Sequence, residues 1–182
     1  MKKFIFSMAL LLVTNQVLAE GFTLKSDAVM GQLADAQAFS GFGCKGKNIS
    51  PRLKWSNAPK GTKSFALTVY DPDAPTGSGW WHWLIFNIPG NVNELVTDAG
   101  NISKGLAPKG SVQSISSYGK AGYGGPCPPV GDKAHRYIFT VYALKVAKLD
   151  LGSNAMPARV GFYLNNTAIA RASLIAYYGR QK

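Results

Sequence analysis

The sequence predicts a mostly-β or α+β fold. Apolar residues alternate with the two-residue period of a β-strand in several segments, and helical patterning begins only after Asp150. The long crossover helices that a parallel α/β fold requires are missing from the pattern. Neither an internal repeat nor a linker-like composition interrupts the chain, so residues 20–182 are predicted to form a single domain.

The chain begins with the pattern of a secretory signal. Lys2 and Lys3 precede an apolar run, Phe4–Val13, that is too short to span a bilayer, and Val17–Ala19 ends in a small residue, as a cleavage site does. Residues 1–19 are therefore predicted to be a signal peptide; the alternatives are a retained anchor and an apolar first strand. The mature protein is expected to be secreted or periplasmic and not membrane-embedded, since no later apolar segment is long enough to cross a bilayer.

The charge of the protein indicates a general preference for anions. The full chain carries a net charge of +11, and loss of Lys2 and Lys3 leaves 18 Lys+Arg against 9 Asp+Glu, about +9. The basic residues are scattered, with no run of five and no basic helix interleaved with aromatics. This pattern argues against nucleic-acid binding.

The two cysteines, Cys44 and Cys127, are expected to form one disulfide, because a secreted protein folds in an oxidising compartment. Two free buried thiols are the alternative.

The first part of the mature chain is irregular. A first strand is expected within Phe22–Met30, and the following segment is rich in Gly, Ser and Pro. Gly41, Gly43 and Gly46 match the glycine spacing of a dinucleotide-binding loop, but Pro51 blocks the helix that such a loop opens. No cofactor is therefore predicted.

Two predicted strands flank the most informative stretch of the sequence, Asp71–Trp83. Lys63–Tyr70 alternates as a strand with one core face, and His82–Ile88 forms the next strand, in which His82 is in phase with Leu84, Phe86 and Ile88. The stretch between them combines acids, prolines, tryptophans and a histidine. That composition is typical of a shaped pocket rather than a spacer.

A long loop and a third strand follow. Gly100–Gly131 has almost no apolar periodicity and is predicted to be a loop, which at this length is either disordered or functional. The prolines around Cys127 favour an ordered wall. His135–Leu144 is the clearest strand in the protein.

The segment after Asp150 is predicted to be helical. Asn154 caps a short helix with Pro157 in its first turn, and Asn166 caps a second helix that Gly179 ends. The second helix would carry an apolar face made of Ala168, Ile169, Ala172, Ile175 and Ala176.

Polar side chains at strand ends form the candidate ligand site. His135 and Tyr137 share one face of their strand, about 7 Å apart, while Asp71 ends a second strand and His82 begins a third. An Asp beside a His orients one ring nitrogen and leaves the other free to donate, and a Tyr supplies a further donor, so the set suits a phosphate or carboxylate. The alternatives are structural: His82 and Tyr137 as core residues, and Asp71 as a turn former.

Catalytic and metal sites are not predicted. The Gly-Ser-Gly at 77–79 lacks the spacing of a nucleophile elbow, and an oxidised Cys127 is no nucleophile. The two histidines lack the close spacing typical of metal ligands, which argues against a site that combines them with Asp71 or Asp73. The protein is therefore expected not to be an enzyme.

Three blocks of the sequence resemble the phosphatidylethanolamine-binding protein family, which includes Raf kinase inhibitor protein. The blocks are GKNISPRLKW at 46–55, DPDAP followed by WHW within 71–83, and GPCPP followed by GDKAHRYIF within 125–139. Their order and spacing cover the chain from about Phe22 to Leu144, and the first block is closest to the bacterial branch. The resemblance implies antiparallel β-sheets packed face to face, with one or two short C-terminal helices and a small anion pocket at one end.

The resemblance also implies roles for individual residues. The family's pocket aspartate, two histidines and tyrosine match Asp71, His82, His135 and Tyr137. Its pocket rim matches Pro75 and the segment Gly125–Pro129, which begins with Gly125 and Pro126. A cis peptide bond is expected between Asp71 and Pro72.

This sequence departs from the family pattern at the pocket rim. The insert between DPDAP and His82 is shorter than in animal and plant members, which puts lipid headgroup binding in doubt. Cys127 stands where animal members have glycine, so a disulfide to Cys44 is expected to brace the rim.

The sequence thus predicts a secreted or periplasmic, non-catalytic binding protein for a small anion such as a phosphoryl group. His82, His135 and Tyr137 would donate hydrogen bonds, Asp71 would orient a histidine, and affinity would fall as pH rises through the histidine range. The alternative is an interaction module or inhibitor that acts on a partner protein through its surface, with the pocket incidental. The bacterial relatives suggest a homodimer.

Overall fold

The computed structural model describes residues 21–181 and consists mainly of antiparallel strands with one α-helix. The prediction of a signal peptide at 1–19 lies outside the described residues. In chain order the elements are β1 (Thr23–Lys25), β2 (Ser40–Gly41), β3 (Cys44–Lys45), β4 (Leu53–Ser56), β5 (Ser64–Asp71), β6 (Trp80–Pro89), β7 (Glu94–Leu95), a 3₁₀ turn (Ile102–Lys104), β8 (Val112–Gln113), β9 (His135–Leu144), α1 (Pro157–Thr167) and β10 (Ala168–Tyr178).

The strands form one large sheet, one small sheet and a short hairpin. The large sheet has the order β10-β9-β5-β6-β8, the small sheet has the order β1-β4-β7, and β2 pairs with β3. All of these ladders are antiparallel. The predicted fold class is therefore confirmed.

The main core lies between the two sheets. The small sheet contributes Leu53 and Trp55 from β4, and the large sheet contributes Val69 from β5 and Phe139 from β9; each of these side chains is buried. Alternate residues of each strand point toward this layer, as expected for two sheets that pack face to face.

The other face of the large sheet is covered by α1. Val160 and Leu164 of the helix are buried in a second cluster with Leu84, Phe86 and Leu144 of the sheet. Leu84 and Phe86 therefore face the helix, while their neighbour Ile85 faces the small sheet. Because it is covered on both faces, β6 is an almost continuous run of buried residues.

The prediction of a second C-terminal helix is wrong, because Ala168–Tyr178 is the edge strand β10. Its core-facing positions are mostly small: Ala172 and Ala176 are buried, whereas Ile169 and Ile175 are 42% and 46% exposed. With isoleucines on the outer face and alanines on the inner face, the apolar residues of this strand have a spacing that resembles the apolar face of a helix. The pairing of β10 with β9 from Ala168 to Tyr178, which is a contact distant in sequence, determines the strand.

The first predicted helix is present as α1, but its cap differs. Pro157 occupies the first turn, and the N-cap is Met156, which makes no side-chain cap hydrogen bond, so Asn154 does not cap the helix. Asn166 lies in the last turn and donates its amide to the Phe162 carbonyl at 2.8 Å. Within residues 21–181, no helix has the length and apolar character needed to cross a membrane.

Candidate functional site

Three strands of the large sheet bring the predicted polar residues to one edge. Strand β5 ends at Asp71, and its antiparallel neighbours β6 and β9 begin nearby with Trp80 and His135. Asp71, His82, His135 and Tyr137 are all buried, with at most 3% of any of them exposed to solvent. Antiparallel pairing thus places residues up to 66 positions apart in sequence in one pocket.

Asp71 acts both as a turn former and as a partner for a histidine. One carboxylate oxygen, Oδ1, accepts a hydrogen bond from the Asp73 backbone N–H at 2.8 Å. The other, Oδ2, lies 2.8 Å from Nδ1 of His135. Because the carboxylate accepts, Nδ1 carries the proton and His135 keeps Nε2 for other contacts. The Asp132 carboxylate lies 3.5 Å from that nitrogen.

Arg136, near the start of β9, holds the turn that follows β5 in place. Its guanidinium makes two hydrogen bonds of 2.8 Å to the Asp73 carboxylate, and its backbone N–H makes a third of 2.9 Å. The hydrogen bonds from Arg136 hold the pKa of Asp73 well below its usual range. Asp73 therefore serves the geometry of the turn and does not join the ligand site.

A β-bulge sets the direction of His82. Val69 pairs with Trp83 and Tyr70 pairs with Trp81, which leaves His82 as the extra residue of β6. Its ring packs edge-on against Tyr137, with centroids 5.0 Å apart, and not with Leu84 and Phe86 beneath α1. The predicted phase of His82 is therefore wrong, because simple alternation does not hold across a bulge.

The backbone around Gly124 fixes the tautomer of His82. Its Nδ1 lies 2.7 Å from the Gly124 carbonyl and 3.2 Å from the Gly125 carbonyl. Since carbonyl oxygens only accept, Nδ1 carries the proton and the neutral ring presents a bare Nε2. That nitrogen is buried and has no hydrogen-bond partner among the described residues.

Burial keeps His82 neutral. Loss of solvation lowers the pKa of His82 from 6.5 to about 4, against a smaller opposing effect of the Gly124 carbonyl and Asp71. This arrangement argues against the prediction that His82 donates a hydrogen bond near neutral pH, because its only unpaired nitrogen accepts in the neutral ring. His82 also cannot be the source of a fall in affinity through the ordinary histidine range.

The polar residues surround a cavity of about 200 Å³. This volume is several times that of one water molecule in the liquid, roughly 30 Å³. No lysine or arginine is among the residues of the described chain that line it. Its lining consists of Phe42, Asp71, Ala74, Pro75, Thr76, Trp80, His82, Tyr118, Cys127, Pro128, Pro129, His135 and Tyr137.

Gly125 and Pro126, predicted as ligand-binding residues, support the cavity without lining it. The Gly125 N–H donates to Oδ1 of Asn48 at 2.7 Å, and its carbonyl accepts from both His82 and Tyr118. A Cβ on Gly125 would collide with the Gln37 backbone carbonyl. Gly125 therefore holds His82 at a point of close backbone approach.

A disulfide forms the rim of the cavity. Cys44 and Cys127 are bonded, which confirms that prediction, and their Cα atoms are 6.0 Å apart. Arg180 ties both sides of the rim together, since its guanidinium donates to the Gly43 carbonyl at 3.0 Å and to the Pro128 carbonyl at 3.3 Å.

Two aromatic residues of the cavity were missed by the sequence patterns. Tyr118, within the long predicted loop, donates its hydroxyl to the Gly125 carbonyl at 2.7 Å and packs edge-on against His82 at 5.6 Å between centroids. Phe42 stacks on Tyr118 at 5.9 Å and lies between glycines at 41 and 43. An aromatic residue beside glycine in a segment otherwise predicted to be irregular is the signal that could have indicated them.

Tyr137 supplies the free hydrogen-bond donor of the cavity. Its hydroxyl is buried, and no group among residues 21–181 meets hydrogen-bond geometry with it; burial, and to a smaller extent the nearby Asp71 carboxylate, raise its pKa well above the usual range. The hydroxyl therefore stays protonated at any physiological pH and can donate to a ligand oxygen.

The expected cis bond between Asp71 and Pro72 is not found, since no peptide bond in residues 21–181 is cis. The turn closes in the trans form through the Asp73 N–H to Asp71 bond, and trans is the intrinsically favoured isomer. The same residues contain no group of three or more His, Cys, Asp or Glu side chains arranged to hold a metal ion.

Comparisons with known proteins give a consistent family. The model of the family described as phosphatidylethanolamine-binding protein matches residues 28–179. YbcL of Escherichia coli K12 is 49% identical over 180 residues, which is 98% of each chain. The crystal structure of E. coli YbcL, described as a new member of the mammalian PEBP family, superposes with a TM-score of 0.86 and covers 88% of this chain and 99% of that one, at 51% identity.

Two further relatives extend the comparison. A phosphatidylethanolamine-binding protein homologue from Chlamydia trachomatis superposes with a TM-score of 0.72 at 30% identity, covering 88% of this chain and 98% of its own. The lipoprotein LppC of Mycobacterium tuberculosis H37Rv is 38% identical over 138 residues, or 75% of this chain and 63% of LppC.

Proposed function

The chain belongs to the phosphatidylethanolamine-binding protein family, and from this premise we propose that it is a binding protein for a small anion. The anion, of which a phosphoryl group is the example, occupies the cavity at the end of β5, β6 and β9 and is not chemically altered there. One observation carries the proposal: a buried tyrosine hydroxyl without a partner lies in the same small cavity as a histidine held by an aspartate.

The cavity is suited to a small polar group. Tyr137 offers a hydroxyl donor, and His135, whose Nδ1–H donates to Asp71, offers Nε2, which accepts a hydrogen bond in the neutral ring. Pro75, Pro128 and other apolar side chains form the walls, so a bound group leaves water on entry. Hydrogen bonds to an ionised ligand are stronger than those between neutral groups. They are stronger still where water is excluded, because the local dielectric constant is low.

The absence of turnover is part of the proposal. In a serine-type hydrolase the second ring nitrogen of the histidine meets a nucleophilic hydroxyl. Here the Asp132 carboxylate lies 3.5 Å from Nε2 of His135, and the nearby Thr76 hydroxyl donates to the Gly79 carbonyl. This arrangement supports binding rather than hydrolysis.

A location outside the cytoplasm, secreted or periplasmic, is also proposed. The disulfide between Cys44 and Cys127 is stable in an oxidising compartment, and one relative is named a lipoprotein. The signal-peptide pattern at 1–19 agrees with this location.

Calorimetric titration with phosphate and phosphoethanolamine tests the binding proposal. Tyr137→Phe removes only the free hydroxyl and is expected to weaken binding by about 10- to 100-fold, since a hydrogen bond to a charged group contributes roughly 1.5–3 kcal/mol. Tyr142→Phe is the matched control, because Tyr142 lies on the same strand but packs on the α1 side. Equal heats for both variants, or no loss in His135→Ala, would show that this cavity is not the site.

An interaction module that acts on a partner protein is the second candidate. The outward side chains of the edge strand β10 favour it, since Ile169, Ile175 and Tyr177 are 42–46% exposed. The homodimer suggested by the family resemblance remains a prediction. Partner binding that survives the double variant Asp71→Ala/His135→Ala would favour this function over anion binding.

A further inference from the structure

The cavity contains an unpaired acceptor beside its unpaired donor. The cavity-lining residues with a buried polar side-chain atom lacking a partner are His82, through Nε2, and Tyr137, through its hydroxyl. Their rings are in contact, with centroids 5.0 Å apart. A buried polar atom without a partner costs free energy, so a ligand that satisfies both atoms is favoured over one that satisfies a single atom.

The two atoms need opposite hydrogen-bonding groups. Nδ1 of His82 is committed as a donor to the Gly124 and Gly125 carbonyls, so Nε2 can only accept while the ring is neutral. Tyr137 can donate to a ligand oxygen. A matching ligand therefore presents an acceptor oxygen and a hydroxyl on the same small group.

We propose that the pocket is selective for oxyanions that still carry a proton and a single negative charge, namely dihydrogen phosphate and the monoanion of a phosphomonoester. The ligand hydroxyl donates to Nε2 of His82, while an unprotonated oxygen accepts from the Tyr137 hydroxyl. Fully ionised sulfate and carboxylates lack this hydroxyl and leave Nε2 unpaired. This inference rests on the proposed anion-binding function and adds the specificity of the same site.

The charges around the cavity also favour an anion that keeps a proton. The groups that face His82 are the Asp71 carboxylate, the His135 ring, the hydroxyl-bearing rings of Tyr118 and Tyr137, and the two glycine carbonyls. Among the described residues no lysine or arginine lines the cavity to balance a doubly charged anion. Proton retention lowers the charge that must be buried beside Asp71.

His82 does not readily provide the missing proton itself. Burial lowers the pKa of His82 to about 4. Protonating His82 at pH 7 so that it can donate to sulfate therefore costs a large amount of free energy. A phosphomonoester has its second pKa near 6 and brings the proton with it at little cost. Affinity for a phosphomonoester should therefore decline as pH rises above about 6, through the ligand and not through His82.

The test compares phosphate with sulfate, two tetrahedral anions, by calorimetry at pH 7 on the intact mature protein. Phosphate is expected to bind at least about fivefold more tightly than sulfate, the lower bound for leaving a buried acceptor unpaired. Sulfate affinity should increase as the pH is lowered toward about 4, where His82 becomes protonated. This arm of the experiment needs no variant.

His82→Gln provides the second arm, because the Gln amide offers an N–H to either anion. The ratio of phosphate to sulfate affinity should fall to within about threefold in this variant, once its melting curve shows that it is folded. Equal binding of the two anions by the wild type, or an unchanged ratio in His82→Gln, would overturn the inference and leave the proposed function standing. Failure of the wild type to bind either anion would overturn both.

Discussion

Burial of His82 makes the stability of the protein dependent on pH. The fold holds the pKa of His82 at about 4, whereas an unfolded chain has the ordinary value of 6.5. Between these two values the unfolded state binds more protons than the folded state, so the free energy of unfolding falls as the pH falls. One pH unit of difference corresponds to about 1.4 kcal/mol, so His82 removes about 3 kcal/mol of stability between pH 7 and pH 4.

Comparison of the wild type with a variant at several pH values separates the contribution of His82 to stability from that of the other titrating groups. Urea unfolding of the wild type and of His82→Gln at several pH values gives the free energy of unfolding of each. Because both proteins contain the same other titrating groups, the wild type should lose about 3 kcal/mol relative to the variant between pH 7 and pH 4. A difference between the two proteins that stays constant over this range would refute the reasoning.

An NMR titration measures the pKa of His82 directly. The protein has only two histidines, so NMR of His82→Gln follows His135 alone, and the remaining signal of the wild type belongs to His82. Its midpoint is expected near pH 4.

Three further perturbations test the supports of the cavity. The double variant Cys44→Ser/Cys127→Ser opens a closed loop with a sequence separation of 83. Chain entropy predicts a loss of about 4.5 kcal/mol in the free energy of urea unfolding, and no loss on adding reductant to the wild type would contradict this. Asp71→Asn removes the charge that holds Nδ1 of His135, and calorimetry should show phosphate affinity at least tenfold lower, roughly one charge-assisted hydrogen bond; an unchanged affinity would exclude that role. Gly125→Ala forces a Cβ onto the Gln37 carbonyl and should lose about 1–3 kcal/mol in thermal unfolding. Its control, Gly161→Ala in the open middle of α1, should gain about 1 kcal/mol, and similar values for the two would contradict the packing argument.

Local patterns were sufficient for the central strands. The bounds of β9 coincide with the predicted His135–Leu144, and β5 and β6 lie within two residues of their predicted bounds. The alternation of apolar residues in Lys63–Tyr70 and His135–Leu144 is typical of a strand, because only a strand puts every second side chain on one face. The same patterns failed at Ala168–Tyr178, where Ala172 and Ala176 are buried while Ile169 and Ile175 are exposed.

The sequence by itself determined the family, the central strands and the residues that gather at their ends. It could do so because these depend on residue type, on order along the chain and on a two-residue period. Only the tertiary structure decided what each group can do in the cavity. The bulge that turns His82, the Gly124 carbonyl that fixes its tautomer and the burial that keeps it neutral all arise from contacts between distant segments. No local pattern encodes those contacts, and they make His82 an acceptor instead of the donor that its residue type suggested.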